Sequence, residues 1–507
     1  MQRKLMMNRP RLNFRLRNLI LPVCLVPLCA LIASTQTRQT SSDLPVDPGP
    51  RTGPANSGGP LKGLSDSDEK LFWASWEKFK RLYSVSGTIE TGAGLGPSFN
   101  GNSCAQCHAQ PAAGGSSPSP HSPQVRQIVM RNQHPVLEPE YNPQVALASL
   151  DRIIGKSQVV PPFISPDGPV LVPHLVRTPD GQPDGSTHQI YTIAGRVDAP
   201  GCELPQTNFA EEMAKHNVVF RIPSPTFGAG LIEGISDSEL ISNLDSTKAQ
   251  REAFGIKGRF NRSSNDNTIS RFGWKAQNKS LLIFSAESYN VEMGVTSEAF
   301  PNKRDQSPAC VFNSLPEDRT RVELPITEKY QPSGFASDVV NFAAFMRFSA
   351  PPAPVTHTNS ELNGQKLFST VGCSLCHSQA LQTGRSTFRG MSQVSIQPYS
   401  DFALHQMGPG LADGVTQGLA NGSEFRTAPL WGLGQRMFFL HDGRATDLLT
   451  AIKAHSSKGT SCQGRQAASH PSASSTACTS EADLVIENFD SLTNTQKQDM
   501  LNFLRSL

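Results

Sequence analysis

The chain has 507 residues, and its 46 Lys and Arg stand against 43 Asp and Glu for a net charge of +3. That balance gives no electrostatic case for nucleic acid, and the length allows two or three domains with real cores. Forty Gly, 39 Pro and only 7% aromatic residues suit a loop-rich protein whose cores are partly filled by a cofactor.

The chain opens on Arg3, Lys4, Arg9, Arg11, Arg15 and Arg17 with no acid among them. The apolar stretch Leu19 to Ala33 follows, with small residues at Ala33-Ser34-Thr35. This reads as an export signal over residues 1–35. The stretch is short for a membrane span and holds Pro22 and Pro27, so cleavage is expected rather than anchoring. The expected location is periplasmic or otherwise exported, with no integral membrane segment after cleavage. Residues 36–64, rich in Pro, Gly, Ser and Thr, read as a flexible linker.

A helix is expected from Ser67 to Leu82. After it comes Cys104-Ala105-Gln106-Cys107-His108, which has a counterpart at Cys373-Ser374-Leu375-Cys376-His377. Each string supplies two thiols for thioethers to haem vinyl groups and a histidine for iron. The pattern predicts two covalently bound c-type haems, with His108 and His377 as iron ligands. A Cys-x-x-Cys pair alone also fits a disulfide redox pair or half a zinc site. The His directly after both pairs, with no nearby His or Cys to complete a tetrahedral set, favours haem.

Residues 120–270 carry many prolines and two β-prone runs, Gln189–Ile193 and Val218–Ile222. They read as an irregular insertion with short strands. Beyond them lie Trp274, a helical run through Leu281, Leu282 and Phe284, and Asn290-Val291-Glu292-Met293-Gly294. An acid at 292 is a poor iron ligand but can move protons; a surface glutamate in a loop is the plain alternative. Asp338–Arg347 reads as an apolar closing helix, and residues 351–356 as punctuation.

The second half repeats the plan. Glu361–Phe368 precedes the second string, and a helix introduced by the capping box Thr493-x-x-Gln496 closes it through Asp499–Arg505. In between, a helix is expected to begin near an N-cap at Thr446. Leu448, Ile452 and His455 then share one face, which turns His455 inward. The repeat predicts a mainly α fold with two cytochrome c-like haem lobes. The first spans 65–350, enlarged by the insertion at about 120–270; the second spans 357–507. Cys462 with Cys478, and Cys202 with Cys310, are the disulfide pairings expected in an oxidising compartment.

Several strings carry a family resemblance: Phe99–Cys104, Phe220–Glu233, Met407–Asp413, Phe425–Gly434 and Leu440–Ala445. Over roughly residues 65–507 the chain resembles the bacterial di-haem oxidoreductases of peroxidase type, a family sometimes labelled thiol oxidoreductase. It is distantly similar to di-haem cytochrome c peroxidases and to the methylamine-utilisation enzyme that oxidises protein tryptophans. The resemblance implies that Glu292, in Val291-Glu292-Met293, faces a peroxidatic haem as acid/base. It also implies that Trp274 relays electrons between the haems and that His455 occupies the far-ligand position of the second iron. His405 and Met407 are rivals for that position. His121 and His134 are candidate blocking ligands for the first iron, which is otherwise expected to be open or weakly ligated. The function implied is an oxidoreductase that draws electrons from a small redox protein or other donor. They pass from the C-terminal haem to a peroxidatic N-terminal haem that takes hydrogen peroxide or an organic substrate. A purely electron-transferring cytochrome and an oxidase of a side chain or small organic molecule are the alternatives.

Overall fold

Short helices and two-stranded β-ribbons build the protein, and two helix pairs frame the Cys-x-x-Cys-His strings. The computed structural model describes residues 44–124, 142–148, 158–321, 332–353, 355, 357–460 and 478–507. The expected export signal, His134 and Cys462 lie outside the described residues.

Helix Asp66–Lys80 starts where the Ser65 side chain accepts the Asp68 N–H, with Asp66, Asp68 and Glu69 in its first turn. Both features favour a helix N-terminus. Its buried Phe72 and Phe79 pack on Phe345 of helix Asp338–Phe348, with ring centroids 5.5 and 4.5 Å away. Asp338 locks this pair through Lys78 (3.0 Å) and the Tyr83 hydroxyl (2.7 Å).

The second pair is helix Asn359–Thr370 with helix Asn494–Ser506. Thr358 with Glu361, and Thr493 with Gln496, form complete capping boxes, so the expected start of the closing helix is observed. Phe368 sits 5.6 Å from Phe503, as Phe79 sits on Phe345. The backbones cross closely because Gly364 has no side chain: a Cβ there would lie 2.1 Å from the Asp499 carbonyl oxygen.

The insertion holds the expected strands and more helix than expected. Val172–Leu175 pairs antiparallel with Val218–Arg221, and Ser98–Phe99 with Tyr191–Thr192. Helices Phe209–Ala214, Ala229–Glu233, Asp237–Ser246 and Lys248–Ala253 follow or intervene. Ser236 caps the third of these by accepting the Glu239 N–H, a local signal that the density of prolines obscured.

Two other expectations change. From residue 44 the expected flexible linker is docked. Asp47 holds Arg505 through two bonds (2.6 and 2.7 Å) and accepts the Leu448 N–H, while the Leu61 N–H donates to the Phe348 carbonyl. A buried bidentate ion pair fixes a segment that composition alone marks as loose. The punctuation at 351–356 also does not separate two cores. The largest apolar cluster joins Phe72, Phe342 and Phe345 to Phe402, Trp431 and Phe438 from beyond it. Cys202 and Cys310 form the expected disulfide, and Cys478 is also disulfide-bonded. No described helix is long and apolar enough to cross a membrane.

Gly364→Ala is expected to destabilise the protein by about 1–3 kcal/mol through overpacking at the helix crossing, read as a lower midpoint of urea unfolding.

Candidate functional site

Each Cys-x-x-Cys-His string opens into its own cavity. Cys104, Cys107 and His108 line one that encloses about 1280 Å³ of space between atoms, mouth included. Cys373, Cys376 and His377 line the other, about 1500 Å³ on the same measure. All four thiols are free. Burial pushes Cys104 and Cys373 up to about 12 and also raises Cys107 and Cys376. Disulfide exchange needs a thiolate favoured by its surroundings, so a thiol-redox role fits these sites poorly. Among the described residues, no cluster of three or more His, Cys, Asp or Glu is arranged to hold a metal ion alone, so half a zinc site finds no other half.

The histidines share one device. His108 Nδ1 bonds the Gly115 carbonyl (3.1 Å), His377 Nδ1 the Tyr399 carbonyl (2.9 Å) and His455 Nδ1 the Ala451 carbonyl (2.8 Å). A carbonyl only accepts, so each Nδ1 carries the proton and Nε2 keeps its lone pair. Burial lowers the pKa of all three, His377 to about 4, which keeps the rings neutral and able to ligate. Phe79 and Phe368 pack against His108 and His377 with centroids 6.2 and 6.1 Å away, so the helix before each string supports its histidine ring.

His455 lines the second cavity together with Leu448 and Ile452, on the face that their spacing predicted. The helix is shorter than expected. Asp447, not Thr446, is its N-cap, and it runs Leu448–Lys453, so His455 lies just past its end. Asp447 accepts the Thr450 N–H and outcompetes the neighbouring hydroxyl as a cap.

The rivals differ. Both ring nitrogens of His405 are engaged, Nε2 by Asp401 (3.0 Å) and Nδ1 by Glu481 (2.7 Å), which leaves no free lone pair for iron. Met407 lines the second cavity. His121 is exposed beside Asp167 (3.7 Å) and is not among the residues lining the first cavity.

Glu292 belongs to helix Leu281–Met293, which ends at Gly294 with φ +71°, and lines the first cavity with His108. It is not in a surface loop. Burial raises its carboxyl to about 7, against the lowering effects of the Asn100 hydrogen bond and the Arg304 charge. Asn100 was missed by the sequence reading. Its Nδ2 donates to Glu292 Oε2 (2.9 Å), its N–H to the Glu292 carbonyl (2.7 Å), and its Oδ1 accepts the Ile190 N–H (3.0 Å). The segment leading into the first string therefore holds the acid by backbone and side chain together. Asn100 lies in the Phe99–Cys104 string that carries the family resemblance, but nothing there singles out its side chain as the partner of Glu292.

Trp274 lines both cavities. Its Nε1 donates to the Ile222 carbonyl (3.0 Å) and its carbonyl accepts the Arg426 N–H (2.9 Å). The next residue, Lys275, is fully buried against Asp413 (2.9 Å), which also holds Arg221 (2.8 Å), so the turn carrying the indole is pinned.

Residues 175–477 match the family described as "Di-haem oxidoreductase, putative peroxidase". The chain belongs to the di-haem oxidoreductase family. No curated protein matches it. A solved structure described as a MauG-like protein associated with microbial copper homeostasis is 18% identical over 56% of this chain and 89% of that one. The TM-score is 0.27, and a superposition that low carries no structural argument. Haem is the cofactor the family implies, and this oxidoreductase has residues that fit it. Each cavity offers two free thiols and a neutral imidazole with its Nε2 lone pair unprotonated.

Asn100→Ala removes a hydrogen bond that favours the ionised form, so the Glu292 carboxyl is expected to titrate above its present value of about 7. The carboxyl stretch followed against pH by infrared spectroscopy checks this.

Proposed function

We propose that this di-haem oxidoreductase is an exported peroxidase built as two cytochrome c-like lobes. In this reading Cys104, Cys107, Cys373 and Cys376 form the thioethers, and His108 and His377 are the proximal iron ligands. The haems, when bound, supply electron transfer and the reduction of peroxide. The observation that carries the proposal is the inequality of the two cavities. Only the first is lined by a carboxyl raised toward neutrality, Glu292; the second is lined by His455; and the Trp274 indole borders both.

His455 closes the second site with its Nε2. A second imidazole donates strongly to ferric iron and lowers the potential there, which suits a site that accepts electrons from a small redox protein. Trp274 stands between the sites and relays electrons toward the His108 side. Its Nε1 proton is held by the Ile222 carbonyl, which fixes the ring. The first cavity is also lined by a second buried imidazole, His174, whose Nδ1 bonds the Gly185 carbonyl (3.0 Å) and so leaves its Nε2 unprotonated as well; in this reading His174 stays off the first iron and that site remains open. Glu292 takes a proton from peroxide on a carboxylate oxygen and returns it to the departing oxygen. A carboxyl near 7 exchanges protons in both directions at neutral pH, which an ordinary glutamate at 4.5 does less readily.

The ionised carboxyl is the form that accepts a proton. Peroxide turnover should therefore rise with pH through about 7 and fall below it. Glu292→Gln should lose roughly 10²–10⁴-fold in turnover and also lose that limb, measured with an artificial electron donor. Unchanged rates would remove Glu292 from the chemistry.

His455→Ala should replace the low-spin signal of one haem with a high-spin one, and added imidazole should restore it. A low-spin signal that persists unaltered would exclude His455 as ligand.

A further inference from the structure

Two arginines at the second cavity have no charge partner. Arg426 and Arg436 are only 8% and 9% exposed, and both line the cavity of His377 and His455. The Arg426 Nε donates to the Gly273 carbonyl (2.9 Å), and an Arg436 terminal nitrogen donates to the Pro429 carbonyl (2.9 Å). The Arg436 Nε is buried without any hydrogen-bond partner. Among the described residues no carboxylate lies within ion-pair distance of either guanidinium. By contrast Arg221, the buried arginine that lines the first cavity, is paired with Asp413.

Burial lowers both arginines to about 10, and Arg426 is pushed down further by the charge of Arg436 itself. Even so lowered, both remain cations at neutral pH. Each buried, uncompensated ion costs several kcal/mol, and two like charges side by side add repulsion. An anion entering the cavity they face would compensate both charges. Guanidinium groups suit carboxylates because their parallel N–H donors match two oxygens. A c-type haem carries two carboxylates on one edge.

We propose that Arg426 and Arg436 bind the propionate carboxylates of the haem held by Cys373, Cys376 and His377. The assignment rests on the reading that a haem occupies this cavity. It has a second consequence. Both arginines also border the small space lined by Gly273 and Trp274, and Arg426 bonds that turn at the Gly273 and Trp274 carbonyls. A haem bound this way would turn its carboxylate edge toward the Trp274 side, and the arginines would link its charge state to the residue that borders both cavities. They act as positioning residues: fixed positive charge near the iron favours its reduced state and raises its potential, offsetting part of the lowering by His455.

The test uses the haem-loaded full chain, with Arg426→Gln, Arg436→Gln and Arg436→Lys. Intact mass first counts covalent haems and peptide mapping assigns them to the two strings. Spectroelectrochemical titration then reads the midpoint potential of the haem at His377. Both Gln variants should shift that potential downward, and Arg436→Lys should return it toward wild type. Unmoved potentials in both Gln variants, with two haems present, would overturn the arginine assignment alone. A wild-type chain with no haem on Cys373 and Cys376 would instead overturn the reading beneath it. If the variants do not fold, a crystal structure of the wild-type haem-loaded protein decides. Propionate oxygens at hydrogen-bond distance from both guanidiniums support the assignment; propionates pointing away from them refute it.

Discussion

Four buried imidazoles, those of His108, His174, His377 and His455, are each held through Nδ1 by a backbone carbonyl, and this sets the conditions for everything else at the two sites. The bond fixes the tautomer, burial keeps the ring neutral, and Nε2 is left with its lone pair. The fold is arranged to make those carbonyls available. The Gly115 carbonyl turns back on His108 in a tight loop where a Cβ on Gly115 would lie 2.0 Å from the Gln110 carbonyl oxygen. Tyr399 adopts φ +52° at the point where its carbonyl meets His377. The final turn of helix Leu448–Lys453 offers the Ala451 carbonyl to His455. A carboxylate in place of any of these carbonyls would draw the ring toward the charged imidazolium, as at His405, whose pKa is raised well above the ordinary value, against burial, by the neighbouring Cys376 and Asp401.

The two cavities use the same local device and diverge in what faces it. Burial raises the Glu292 carboxyl because the low-dielectric surroundings penalise its charge more than Asn100 and Arg304 favour it. The same penalty applied to histidine works in the opposite direction and leaves His377 and His455 neutral. One physical effect thus yields a carboxyl raised toward neutrality at the first site and a pair of neutral imidazoles at the second. Trp274 belongs to neither site alone, and the buried Lys275–Asp413–Arg221 network beneath it holds the indole where the cavities meet.

Much of this was legible in the sequence because it is local. The strings, the capping box at Thr493, the spacing of Leu448, Ile452 and His455, and the closing helices all depend on residues within a few turns of one another. The docking of residues 44–64 was not legible, since Asp47 meets Arg505 across more than 450 positions. The core shared across 351–356 was hidden for the same reason. Asn100 carries no signature beyond its neighbours, and its role follows only from where helix Leu281–Met293 ends. The helical content of the insertion was masked by prolines that sit between its helices or, as Pro143 of helix Pro143–Ala148 does, at a helix's first position, rather than in their interiors.

The central claim is that the site of His108 and Glu292 is open while the site of His377 and His455 is closed. Low-temperature EPR of the haem-loaded wild-type protein, poised so that the second haem is reduced and silent, tests it most directly. The account predicts that the remaining ferric signal contains a high-spin component that peroxide removes. A purely low-spin signal, unchanged by peroxide, would contradict it and leave an electron carrier with two closed sites.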